Sequence, residues 1–487
     1  MKNLTIARAA ELAPVAVLKW AALLLVLFKL AVLIGGGIFQ DEAYYWMWGQ
    51  HPALSYFDHP PLTAWLQGLA GAVFGWNRLA LRIMVALALA GDLAVLWLMA
   101  RKLVPGASEQ HFWLTSVLFL STPMFFAVTA AALPDHLLVL GILSASYFLG
   151  SFVIDRERSG AGRYRDLYLG ALCLGLAGLA KYNAAFLGVG FGLFLMLSPP
   201  HRALLRKWQL YLAAGIALAV QAPVLIWNLQ HEWASFGFIS GGRFAGDVPT
   251  SGIGWLLGAV LFLSPFMLVA MGRFLLARAA SPAEALARVV FLLSTLAIIG
   301  VSLATPTIFH WNLVAYLAVL PFLALHFRRR WLYWAQVLYG FAFAGFVLVN
   351  YAIMPLTDVA AIRDEASAWA YGWEETSATV EAARAAHGAG FIATPDYTTA
   401  ALLGYAMRDP KVTSLSAKTD QFDFWFDAAT HAGEDAILFG DDWRPLTSEV
   451  TSRFESVTLL EEIPVSRLGK PLDTHRIYLG RGFLPGT

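Results

Sequence analysis

Runs of about twenty apolar residues recur along this chain, and no other feature restricts its fold as strongly. An α-helix rises 1.5 Å per residue, so about 20 apolar residues cross the hydrocarbon core of a bilayer. In that core every backbone polar group must be bonded internally. Such runs fall at 16–38, 79–100, 112–131, 135–154, 166–181, 183–198, 209–227, 252–272, 289–305, 309–326 and 331–354. An α-helical polytopic membrane protein with about 11 transmembrane helices is expected. Composition agrees: 58% of residues are hydrophobic and 14% charged, where a soluble chain carries roughly 25% charged residues. The single cysteine, Cys173, lies inside an apolar run, so no internal disulfide contributes.

The connections between spans separate by charge. Fifteen Lys and Arg residues fall in one alternating set, among them Arg101-Lys102, Arg156, Arg158 and Arg328-Arg329-Arg330. The opposite set holds Arg78, Lys181 and Arg243. The positive-inside rule then puts the N-terminus in the cytoplasm, and an odd number of spans puts the chain beyond about 356 outside. That last part holds 20 of the 33 acidic residues but 11 of the 34 basic ones. Short apolar stretches at 390–394, 436–440, 457–460 and 476–479 read as strands, and 397–407 as a helix. The expected organisation is a transmembrane domain at 1–355, with an outer first loop at 39–78, and a small C-terminal α/β periplasmic domain at 356–487. The expected location is a bacterial inner membrane, among membrane lipids. No nucleic-acid partner is expected.

Polar residues outside the basic loops gather on the expected outer side. The first outer loop carries Asp41, Glu42, Tyr44, Tyr45 and Trp46, then Tyr56-Phe57-Asp58-His59-Pro60-Pro61. An aromatic belt at the membrane interface explains the rings. It does not explain three carboxylates and two histidines between Asp41 and His59. Asp135 and His136 open the fourth span, Lys181 and Tyr182 break two spans at their outer ends, and His310 and Arg243 lie in later outer loops. Two charges, Lys29 and Asp92, lie deep within spans at similar depth and are expected to pair with each other.

A carboxylate cluster beside phosphate-binding cations at an outer interface suits transfer of a group from a lipid phosphate. One carboxylate takes the acceptor's proton while cations hold the departing phosphate. A cytoplasmic nucleotide-sugar donor would meet only basic loops, with no Gly-rich phosphate cradle. Displacement without a covalent intermediate inverts the anomeric centre. A transporter or flippase of lipid-linked glycans is the alternative, but internal repeats and broken midplane helices are not evident in the sequence.

These motifs also carry a resemblance. Asp41-Glu42-Ala43-Tyr44-Tyr45-Trp46 followed by Tyr56-Phe57-Asp58-His59-Pro60-Pro61 closely resembles the first periplasmic loop of the GT-C glycosyltransferases. It is most similar to the protein O-mannosyltransferase-like clan, in the bacterial branch with the lipid A galacturonosyl and aminoarabinose transferases. Pro134-Asp135-His136, Gly178 to Tyr182, His310-Trp311-Asn312 and 391–405 look like the same branch. The resemblance implies an inverting enzyme using a polyprenyl-phosphate sugar donor and a glycan, lipid or protein acceptor. It implies Asp41 as catalytic base and Asp135 as the second carboxylate. Glu42, Tyr45, Asp58, His59, His136, Lys181, Tyr182, Arg243 and His310 are the expected donor- and substrate-binding residues.

The chain departs from that branch where the aminoarabinose transferases have an acid–Lys–Pro–Pro pattern, here Asp58-His59-Pro60-Pro61. It departs again where they have a base three positions after the Asp, here Tyr44. His59, Lys181 and Arg243 are the candidate replacements, expected to face a donor pocket between the first outer loop and the outer domain. No obligatory cofactor is expected, and a divalent metal is left open with no ligand set assigned.

Overall fold

The computed structural model describes residues 12–241, 251–303, 305, 307–360 and 362–486. Each of the eleven expected spans is helical. Among the described residues, six helices are long and apolar enough to cross a membrane: Val15–Gly35, Arg78–Leu103, Pro134–Ser159, Pro282–Ser302, Phe309–His326 and Arg330–Ile353. Two bent pairs, Trp208–Ala219 with Ala222–Gln230 and Gly252–Leu263 with Pro265–Leu276, raise the number to eight. The remaining three expected spans are shorter, and the sequence shows why for one of them. Pro123 lacks an N–H and splits 112–131 into Ser108–Ser121 and Pro123–Val128. A similar break at Ser264-Pro265 turns the second bent pair through 98°. There Ser264 sits at φ +73° and its hydroxyl caps the new helix by accepting from Met267 N at 3.2 Å. The chain is a multi-pass membrane protein.

The described residues form two compact units. The first takes the described parts of Met1–Leu30, His59–Leu62 and Val85–Gly345. Its intramembrane charges do not pair as expected. Lys29 Nζ donates to Phe126 O at 2.9 Å and to Thr129 Oγ1 at 2.5 Å. Asp92 takes His136 Nε2 at 3.0 Å. Thr129 and Phe126 lie at the end of helix Pro123–Val128, where carbonyls without a helical partner are free to accept from the ammonium.

The second unit takes Ala31–Asp58, Thr63–Met84 and the described parts of Phe346–Thr487. Its sheet has the order β2-β1-β3-β5-β4, with β1 (Phe391–Thr394), β2 (Thr413–Ser414), β3 (Ala436–Gly440), β4 (Phe454–Arg467) and β5 (Lys470–Phe483). β2, β1 and β3 run parallel, and β3, β5 and β4 antiparallel. β1 and β3 are covered on both faces, which is why they read as unbroken apolar runs. β4 and β5 run well beyond the expected 457–460 and 476–479. Polar residues such as Glu461 and Glu462 face solvent along the exposed edge and interrupt the apolar signal. Leu468 and Gly469, both at positive φ, close the hairpin. Phe391, Leu438, Phe454 and Phe483 centre the core.

The expected first loop contributes two helices to this unit, Gln40–Gln50 and Leu62–Phe74. They cross backbone on backbone: a Cβ at Gly49 would lie 2.7 Å from Gly68 N, and one at Gly68 2.6 Å from Gly49 O. Only glycine permits that approach. The loop's aromatics form a packed interior, with Trp46, Trp48 and Tyr56 fully buried. Trp46 meets Tyr405 edge-on at 5.8 Å, and Trp76 Nε1 donates to Tyr405 O at 3.0 Å. Helix Tyr397–Met407, read at the same bounds from the sequence, is thereby held against Gln40–Gln50.

Candidate active site

Asp41 lies in the first turn of Gln40–Gln50, where unbonded N–H groups and the helix dipole favour an anion. Glu42, next to it, has another task than the expected donor binding. It is fully buried, and Arg82 holds it through Nε at 2.9 Å and NH2 at 2.6 Å. The same guanidinium caps the carbonyls of Leu33, Gly36 and Gly37 at the end of the first span. Glu42 also accepts from Phe39 N at 3.2 Å. Glu42 and Arg82 therefore fix where the helix bearing Asp41 begins.

Tyr44 stands where the related aminoarabinose pattern has a base. Its hydroxyl donates to Asp58 Oδ2 at 2.6 Å and accepts from Gln421 N at 3.0 Å. Gln421 Oε1 in turn accepts from Phe57 N at 2.6 Å. Burial first, then the Asp58 and Asp420 carboxylates, hold the Tyr44 phenol well above its ordinary range, so it remains a donor. Tyr397 is a second phenol, half-buried, raised by desolvation and then by Asp41, Asp58 and Asp396. Asp41 thus faces a phenol that stays protonated. Arg444 reaches Asp396 at 3.6 Å and Glu365 at 2.7 Å, adding a cation to this acidic group. Tyr45 packs edge-on against Trp48 at 5.0 Å within the same layer.

In the first unit, Asp135 occupies the first turn of Pro134–Ser159, one residue after the proline that opens it. Lys181 has extended backbone between helix Tyr164–Ala180 and the turn Tyr182–Ala184, which sends its side chain out of the helical path. Its ammonium bonds both Asp135 oxygens at 2.8 Å. The rings of His310 and His59 lie within electrostatic reach of the same carboxylate. The turn carrying His310, Phe309–Asn312, is fixed by Ser294 and Thr295 on Asn312 and by Asn183 on the Trp311 carbonyl. Tyr182 touches Ser235 through its hydroxyl at 3.1 Å. It also lines an apolar groove of about 540 Å³ bounded by small residues such as Gly175, Gly188 and Ala217.

The structure thus gathers Asp41, Tyr45 and Asp58 in the second unit and Asp135, His59, Lys181 and His310 in the first. His136 is withdrawn from the site: it is fully buried and bonded to Asp92. Arg243 lies outside the described residues. A cavity of about 390 Å³ does exist between His51 of the expected first loop and the sheet domain, but Lys181 and His59 are not on its walls. Tyr397, Arg82, Gln421 and Arg444 escaped the sequence reading. Arg82 carries no signal beyond being a charge inside a span; the others lie far along the chain from the residues they serve. Among the described residues, no three His, Cys, Asp or Glu side chains are grouped to hold a metal ion.

A family model described as dolichyl-phosphate-mannose-protein mannosyltransferase matches residues 58–227. The curated lipid A galacturonosyltransferase RgtD of Rhizobium johnstonii is 31% identical over 195 residues, 40% of this chain and 39% of that protein. The crystal structure of ArnT from Cupriavidus metallidurans bound to undecaprenyl phosphate superposes with a TM-score of 0.63 at 13% identity. That match covers 95% of this chain and 97% of the other. The chain has the GT-C membrane glycosyltransferase fold. The apo ArnT structure gives a TM-score of 0.61 over 94% of this chain and 97% of that one. GT-C architecture therefore extends over nearly all of the chain, including the sheet domain, whereas the RgtD match spans about two-fifths of either protein.

Proposed function

We propose that this protein is an inverting glycosyltransferase that moves a sugar from a polyprenyl-phosphate donor to an envelope acceptor at the periplasmic face of the inner membrane. One observation carries the reading. In the first unit, the group of Lys181, His59 and His310 around Asp135 is followed in the chain by Tyr182, which lines an apolar groove. A lipid phosphate has this composition: a compact anion on a hydrocarbon chain that gains free energy by staying out of water. RgtD, named for transfer to lipid A, and ArnT, solved with undecaprenyl phosphate, support the same class.

In this reading Asp41 is the base. The acceptor hydroxyl loses its proton to the Asp41 carboxylate as its oxygen bonds the anomeric carbon. The bond from that carbon to the phosphate oxygen breaks, and the polyprenyl phosphate leaves with the electron pair. Tyr44, held as a phenol, keeps Asp58 hydrogen-bonded without competing for the proton.

The test is chemical. Lipid extracted from the purified protein is examined by mass spectrometry, and the protein is reconstituted with polyprenyl-phosphate sugars and lipid A. A bound polyprenyl-phosphate species and sugar transfer are expected. Absence of both would sink the proposal.

A further inference from the structure

The cavity of about 390 Å³ in the second unit has no part in the transfer chemistry above, and its walls are those of a binding site. Thr413, in β2, is 3% exposed, and its hydroxyl has no hydrogen-bond partner among the described residues. An unbonded buried hydroxyl costs free energy, and a ligand hydroxyl removes that cost. Aromatic rings flank it in paired stacks. Trp425 lies on His51 at 4.1 Å and 17°, and Phe426 on His431 at 4.8 Å and 9°.

Both histidines are pinned. His51 Nε2 lies 3.0 Å from Pro410 O, and His431 Nδ1 2.7 Å from Glu434. Each stacked pair of rings is therefore held in place before a ligand arrives. Charge of both signs completes the lining: the Arg384–Asp409 pair at 3.3 Å, with Lys411 and Asp427.

An aliphatic ligand would leave those polar groups unpaired. A polyanion would meet as many carboxylates as cations. A pyranose satisfies both kinds of wall, with its C–H face on a ring and its hydroxyls on Thr413 and the charged groups. The volume falls within the range of roughly 300–1,000 Å³ usual for small-ligand sites. We propose that this cavity is a saccharide-binding site of the sheet domain, sharing no residue with the Asp41 or Asp135 clusters. It would hold one sugar unit of a neutral or singly acidic glycan.

The full-length protein in a detergent without a sugar headgroup can be titrated with methyl β-galactopyranoside and with galacturonate, reading saturation transfer by NMR. No lipid-linked donor is present, so the result is independent of the transferase reading. Saturable binding of at least one probe is expected, with an affinity near the millimolar range. Thr413→Val removes the hydroxyl and keeps the shape. It should weaken binding about fivefold while thermal stability holds or rises, because the orphan group is gone. Trp425→Ala should abolish the signal. Absence of saturable binding up to about 50 mM overturns the proposal, as does binding that neither variant changes.

Discussion

Lys181 Nζ stands 2.8 Å from each oxygen of Asp135, and both side chains are more than nine-tenths buried. Two charges in so dry a place are stable only as a pair, because removing either strands the other without water. Lys181→Met and Asp135→Asn should therefore each destabilise the protein. The loss should be greater for Lys181→Met, at about 3 kcal/mol, because it leaves the Asp135 carboxylate without its donor, whereas Asp135→Asn keeps an amide oxygen to accept from the Lys181 ammonium. The double variant should recover much of that loss, and denaturant unfolding of the four proteins forms the cycle. Additive losses would show that the pair is not coupled.

Asp41 is the next residue at stake. Asp41→Asn keeps the shape of the side chain and its place in the helix but cannot accept a proton. Turnover should fall by about 10²-fold or more, with donor affinity retained. If Asp41→Asn transfers sugar at a near-normal rate while Asp135→Asn, folded, is inactive, the base is Asp135. If both variants stay active, no single carboxylate acts as base.

Orientation follows from charge. From the Lys and Arg bias between alternate loops we propose that the N-terminus is cytoplasmic and the sheet domain outside. Reporter fusions after residue 104 and after residue 360 should report opposite compartments, the first cytoplasmic. The same compartment for both would contradict this topology.

The sequence was most readable where one physical signal dominated. Apolar runs located the described membrane helices, and helix Tyr397–Met407 was read at its observed bounds, where Asp396 caps it by accepting from Thr398 N. Long strands were read as fragments because β4 and β5 lie at the exposed side of the sheet, where polar residues break the pattern. The site was half readable. Asp135 and Lys181 stood out as charges at span ends, yet their direct bond joins residues 46 apart. Glu42 looked like a ligand because its partner, Arg82, lies 40 residues on, inside another helix. Tyr397 had no local mark of its role, since its significance arises from folding beside Asp41. Spacing within a motif reports local geometry; the identity of a charge's partner depends on the fold.

Proton binding in the sheet domain supplies the last prediction. Burial, then the neighbouring Asp423, pushes the Asp420 carboxyl up to about 7; burial, then Asp473, does the same to Asp441, also about 7. Both values exceed the ordinary 3.8, so the folded domain holds protons that the unfolded chain has released. The associated stability is complete below about pH 3.8 and is lost as pH rises through about 7.

Asn at either position keeps an oxygen to accept from Phe422 N or Trp443 N, the bonds the aspartates now make at 2.8 and 2.9 Å. Asp420→Asn and Asp441→Asn should therefore flatten the pH dependence without removing the turns. Hydrogen exchange of the β1 and β3 amides in the full-length protein, followed from pH 4 to pH 8, measures it. Protection corrected for intrinsic exchange should fall with pH in the parent and less steeply in each variant. Asp420 also caps the turn whose Gln421 grips Phe57 and Tyr44, so Asp420→Asn should hold that contact more evenly at high pH. Equal slopes in the parent and both variants would mean that neither carboxyl carries its proton into the neutral range.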